Sequence, residues 1–168
     1  YRPHRVVHIG ICGGLTPGVS AGEFILPSWT VQHDLGRLPF SRSGIGGMLQ
    51  ADCIELNSPW REAYGNSLRR AAAGGTVHLQ GGIATGDCFI TGEHRLALAQ
   101  RFPSGETAVC DMETFSVAAA CRLRGIDLVV MKAVSDDAQE RRVKQFSRYL
   151  AKASRILCRG ALLPRQDH

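Results

Sequence analysis

At 168 residues the chain fits one domain with room for a real core, and 44% hydrophobic against 21% charged residues excludes a disordered, highly charged polymer. No apolar run approaches the roughly 20 residues that cross a bilayer and no signal peptide is visible, so the sequence predicts a cytoplasmic protein with no membrane contact. The net charge of +5 gathers late in the chain, at Arg141, Arg142, Lys144, Arg148, Lys152, Arg155 and Arg159. These alternate with apolar positions at helical spacing, which marks a solvated helix face and argues against a nucleic-acid partner. Cys12, Cys53, Cys88, Cys110, Cys121 and Cys158 form no CxxC pair, and the histidines form no HExxH pair. The cysteines therefore read as small buried hydrophobes, and neither a metal nor a cofactor is expected.

The chain opens at Tyr1 without a methionine and enters an apolar strand almost at once, as expected of an incomplete or processed chain. Residues 6–11 are a β-branched run suited to a strand buried on both faces, and it meets Gly10, Gly13 and Gly14. Such glycines allow a tight turn and a close approach of backbone to a ligand. IGICGGL is not a GxGxxG fingerprint, because Thr16-Pro17-Gly18 breaks any following helix. Residues 22–31 predict a second strand, with Pro27 marking an edge or bulge. Residues 32–57 predict a long loop with one short strand. Ser58-Pro59 predicts a helix start and Gly74-Gly75 its end. Residues 76–85 predict a strand delivering Gly86-Asp87-Cys88-Phe89-Ile90, and 92–101 a short helix.

Residues 108–138 predict strand, helix, strand, with a helical crossover at 114–124 stopped by Gly125 and a parallel strand pair. Both strands finish on acids, Asp111-Met112-Glu113 and Ser135-Asp136-Asp137, at the edge where open α/β sheets bind ligands. Capping of the next element is the competing role for Asp111 and Asp136. In the last helix Val143, Phe146, Leu150, Ala153 and Leu157 form one apolar stripe, and residues 165–168 a frayed tail. One α/β domain over 1–168, a mixed sheet flanked by helices, accounts for the whole chain.

Four stretches in order, GICGGLTPGVSAGEFILP, GDCFI, DMETFSVAAAC and VVMKAVSDDA, resemble the purine nucleoside phosphorylase and nucleosidase superfamily, with the 5′-methylthioadenosine/S-adenosylhomocysteine nucleosidases the best match. The resemblance implies a three-layer nucleoside phosphorylase-like fold, here lacking the first strands that relatives carry ahead of residue 6. It implies hydrolysis of the N-glycosidic bond of an adenine ribonucleoside, with a phosphate-dependent phosphorylase and a binding module without turnover as the alternatives. The binding module arises because relatives place the glutamate that activates water in the preceding segment.

Carried over by position, Asp136 matches the acid that meets N7 of the purine and Ser135 the residue that steadies it. Glu113 and Met112, beside Asp111, match the ribose-holding pair. Phe89 matches the aromatic that stacks on the base, and the Ile90 backbone the group that reads its edge. Cys12 and Gly13 match the wall beside the sugar, and Phe146 an apolar residue near the 5′ side. Phe89, Met112 and Phe146 also suit an ordinary core, and Lys132 suits pairing with a carboxylate. The resemblance further implies a homodimer with the loop around residues 31–34 near the subunit contact, and phosphate as a second small partner if the chain is a phosphorylase.

Overall fold

The computed structural model describes residues 3–34, 53–102, 106–137 and 146–162, the side chains of Phe146 and Arg148 excepted. The first apolar run forms β1 (Arg5–Gly14), which continues through Gly10, Gly13 and Gly14 instead of turning at them. It is half-buried over most of its length, and Ile11 is 38% exposed, because a cavity opens against it. The strand expected at 22–31 is two strands, β2 (Phe24–Ile25) and β3 (Trp29–Gln32), which join opposite halves of the sheet. Pro27 lies between them, where a missing N–H interrupts a ladder. β4 (Cys53–Glu55) is the short strand expected in the long loop, of which residues 35–52 lie outside the described residues.

Helix α1 (Arg61–Ala72) begins later than Ser58-Pro59 suggests. Ser58 Oγ accepts the Trp60 N–H at 3.3 Å, so the pair makes a turn ahead of the helix. The chain then reverses at Ala73, in the left-handed region at φ 48°, one residue before the glycines. The strand expected at 76–85 is also divided, into β5 (Val77–His78) and β6 (Gly82–Thr85). Gly81 separates them at φ 127°, and a Cβ there would lie 2.3 Å from the Thr107 carbonyl oxygen. The remaining elements are α2 (Gly92–Ala99), β7 (Ala108–Asp111), α3 (Thr114–Arg124), β8 (Asp127–Asp136) and α4 (Phe146–Ala161). Gly125, at φ 62°, closes α3 as its sequence position implies, with Gly125 N–H on the Arg122 carbonyl and Ile126 N–H on that of Cys121.

One eight-stranded sheet runs in the order β4-β3-β6-β7-β1-β8-β2-β5. β1 lies between β7 and β8, so the strands flanking α3 are not the neighbouring parallel pair that the crossover suggested. β1 pairs in parallel with β8 and antiparallel with β7. The β3–β6 pair also places residues 31 and 32 inside the sheet, so this part of the expected subunit-contact loop is strand.

Period-two alternation along β8 builds the two outer layers. Val129, Met131 and Ala133 pack against Tyr64 and Leu68 of α1 and Ala153 and Leu157 of α4, while Leu128 and Val130 pack against Phe115, Ala118 and Cys121 of α3. Each fully buried large apolar side chain among these contributes roughly 1.5–3 kcal/mol. The α4 stripe is rotated from the expected one: Tyr149, Ala153, Ile156 and Leu157 face the core, Leu150 is 40% exposed, and Val143 lies outside the described residues. Lys152, Arg155 and Arg159 are exposed, as the solvated-face reading requires. Among the cysteines, Cys12, Cys110 and Cys121 are buried, but Cys53, Cys88 and Cys158 are exposed and correct the expectation for those three.

The β3–β6 contact gives a stability prediction. Gly82 pairs with Trp29, and a Cβ at 82 would sit 2.3 Å from the indole ring. That ring is held by stacking on Phe102 with centroids 5.3 Å apart and by donating its N–H to Glu106 Oε1 at 2.8 Å. Gly82→Ala should therefore destabilise the fold by about 1–3 kcal/mol, seen as a lower urea midpoint. An unchanged midpoint would refute the fixed ring position.

Candidate active site

A cavity of about 510 Å³ opens where β1, β7 and β8 end together. Asp136 and Ser135 line it from β8, Asp111, Met112 and Glu113 from the end of β7, and Cys12 and Gly13 from β1. Phe89 and Ile90 close it from the segment ahead of α2. The structure thus brings these candidate residues to one hollow; the side chain of Phe146 lies outside the described residues. Phe89 is 64% exposed and Met112 45%, so neither is a core residue, whereas Ile90 and Cys12 are buried.

A bulge brings Ser135 and Asp136 to the cavity together. The β1–β8 register passes from Cys12 opposite Val134 to Gly13 opposite Asp136, leaving Ser135 as an extra residue. Strict alternation would send neighbours to opposite faces, and a bulge re-aims them. Ser135 Oγ lies 2.5 Å from Asp136 Oδ1 and 3.2 Å from the Cys12 carbonyl oxygen. The other oxygen, Asp136 Oδ2, accepts from Arg95 Nη2 at 2.6 Å. A charged neighbour of Asp136 is thus an arginine of α2.

Beneath the opposite end of the cavity, Lys132 Nζ lies 2.8 Å from Asp111 Oδ2 and 3.8 Å from Glu113 Oε2. The Lys132 and Asp111 side chains are each 1% exposed and that of Glu113 60%. Asp111 also accepts from Thr85 Oγ1 at 2.7 Å, from Thr114 Oγ1 at 2.5 Å and from the Thr114 N–H at 3.2 Å. Capping of α3 is therefore part of its role, and its carboxylate serves as a brace. Burial works to raise the Asp111 pKa, but the Lys132 charge and these hydrogen bonds outweigh it and hold the group below the usual range. Glu113 alone of this acidic pair presents its carboxylate to the open cavity.

His8, Asp111 and Glu113 have ligand atoms within 4.8 Å of one another, but the cation that balances Asp111 is Lys132. Burial, aided by the Lys132 charge and opposed by Asp111, lowers the His8 pKa to about 4, so its ring is neutral at pH 7.

The glycines of β1 make room for these buried cations. A Cβ at Gly10 would stand 3.0 Å from Lys132 Nζ, and one at Gly13 would stand 2.5 Å from Arg95 Nη2. Sequence reasoning passed over Arg95. Its one signal is position, three residues before Leu98 and seven before Phe102, on the same inward stripe as those buried residues.

The family model described as the phosphorylase superfamily matches residues 1–162. The chain belongs to the phosphorylase superfamily. Within that superfamily it is 30% identical over 154 residues to the 5′-methylthioadenosine/S-adenosylhomocysteine nucleosidase of Shewanella oneidensis, an alignment covering 91% of this chain and 64% of the relative. A Shewanella sp. protein of the same name is likewise 30% identical, over 155 residues, with the same coverage. The chain thus spans 64% of the length of these curated relatives.

Two solved structures share the superfamily fold. The 5′-methylthioadenosine/S-adenosylhomocysteine nucleosidase of Neisseria meningitidis in complex with methylthio-immucillin-A superposes with a TM-score of 0.72 at 24% identity, covering 94% of this chain and 69% of that one. Futalosine hydrolase of Helicobacter pylori gives 0.71 at 24% identity, covering 94% and 66%. Both establish the mixed sheet flanked by helices. No helix among the described residues is long and apolar enough to cross a membrane.

Proposed function

We propose that this phosphorylase-superfamily chain carries the base-binding and ribose-binding machinery of a purine nucleosidase, cleaving an adenine ribonucleoside with an apolar or thioether 5′ group by hydrolysis. The observation that carries the reading is the convergence of Asp136 and Glu113 on one cavity. Breaking an N-glycosidic bond leaves electron density on the departing base and positive character on the ribose. An acid at one end and an anion at the other answer those demands, and the naming of the curated relatives supports water as the acceptor. Phe89, exposed on the wall, stacks on the base while the Ile90 backbone reads its edge. Glu113 accepts hydrogen bonds from the ribose hydroxyls, Lys132 braces it from below, and Met112 packs on the sugar. A cytoplasmic homodimer belongs to the same reading and rests on the family likeness.

The experiment is chromatographic detection of free base from adenine and hypoxanthine nucleosides, with and without orthophosphate. Adenine release at equal rates in both buffers is the expected result. Release only with phosphate would make the chain a phosphorylase. Binding without release would make it a nucleoside-binding module.

A further inference from the structure

Arg95 is 2% exposed, and a guanidinium is not buried without a strong compensating partner. Two of its partners lie at the end of β8. Nη2 donates to Asp136 Oδ2 at 2.6 Å and Nη1 to the Asp137 carbonyl oxygen at 2.7 Å, so one planar fork grips both the side chain of the acid and the backbone just beyond it. With Ser135 Oγ at the other carboxylate oxygen, both ends of the Asp136 carboxylate are held and its rotation is fixed.

Two further features make this a built arrangement. Gly13 leaves open the space that Nη2 occupies, since a Cβ at this position would fall 2.5 Å away. Arg95 also belongs to α2, the helix that follows directly on Phe89 and Ile90. One side chain therefore ties the base-stacking segment to the residue that meets the base.

We propose that Arg95 is a positioning residue, setting the orientation of Asp136 relative to a base stacked on Phe89. The inference rests on the nucleosidase reading. Arg95 touches Asp136 and not the reacting bond, so its loss should lower kcat and leave KM nearly constant. Misplacing an acid by about 1 Å is enough for a loss on the order of 10²-fold.

The test is a cycle of Arg95→Met, Asp136→Asn and the double variant, with Arg95→Lys alongside, read as kcat and KM for base release and as adenine affinity by calorimetry. Arg95→Met should lower kcat about 10²-fold with KM changed less than about threefold, and Arg95→Lys should recover part of the loss. In the Asp136→Asn background the Arg95 change should have no further effect on rate or affinity. Equal losses in both backgrounds, or an unaltered kcat for folded Arg95→Met, would overturn the proposal. If the parent releases no base, the nucleosidase reading falls and the positioning role, which rests on it, falls with it; a parent that releases base while Arg95→Met leaves kcat unmoved overturns the positioning role alone.

Discussion

Asp136→Asn is expected to lower the rate of base release by about 10²- to 10⁴-fold, the usual worth of a placed general acid. The two side chains have nearly the same shape, so the loss should not come from unfolding. The amide oxygen introduced by the substitution can still accept from Arg95, and Ser135 can turn its proton to the Cys12 carbonyl 3.2 Å away. Rate constants from the chromatographic assay, with a thermal midpoint for each protein, check the expectation. A variant within about twofold of the parent would remove Asp136 from the chemistry.

Lys132→Met is expected to destabilise the fold by about 3 kcal/mol, toward the lower end of the range for breaking a buried pair, because Asp111 loses its counter-charge but keeps its three hydroxyl and amide donors. Urea unfolding measures it, and adding Asp111→Asn to Lys132→Met should restore part of the loss. An additive double variant would contradict the pairing. The pH dependence has a definite sign. Asp111 has a folded pKa below its unfolded one, so its contribution to stability is present above the unfolded value of about 3.9 and is lost as pH falls through the lower, folded value. In the Lys132→Met protein that acid-side loss should shrink.

The sequence carried the helix stop at Gly125 and the acids at the ends of β7 and β8, because local chain chemistry alone determines those features. It misjudged the partners. Whether β8 lies beside β7 or has β1 inserted between them depends on contacts between segments far apart in the chain, which no local period records. The glycines of β1 show the same limit. A glycine after an apolar run suggests a turn, yet Gly10 and Gly13 stay within the strand to admit Lys132 and Arg95 from distant elements. Pro27 and Gly81 were visible as breaks, but the new location of each strand after its break was not. Arg95 was missed because a single cation in a short helix looks like surface until its companions Leu98 and Phe102 are seen buried.

The insertion of β1 has a further effect. Gly13 is paired with Cys110 on one side and with Asp136 on the other, so two strand-to-strand steps separate the Asp111–Glu113 end of the cavity from the Asp136 end. Those steps total about 9.5 Å, a yardstick fixed by main-chain hydrogen bonding. Side chains around the cavity can then be exchanged while the gauge between its two acidic ends stays constant.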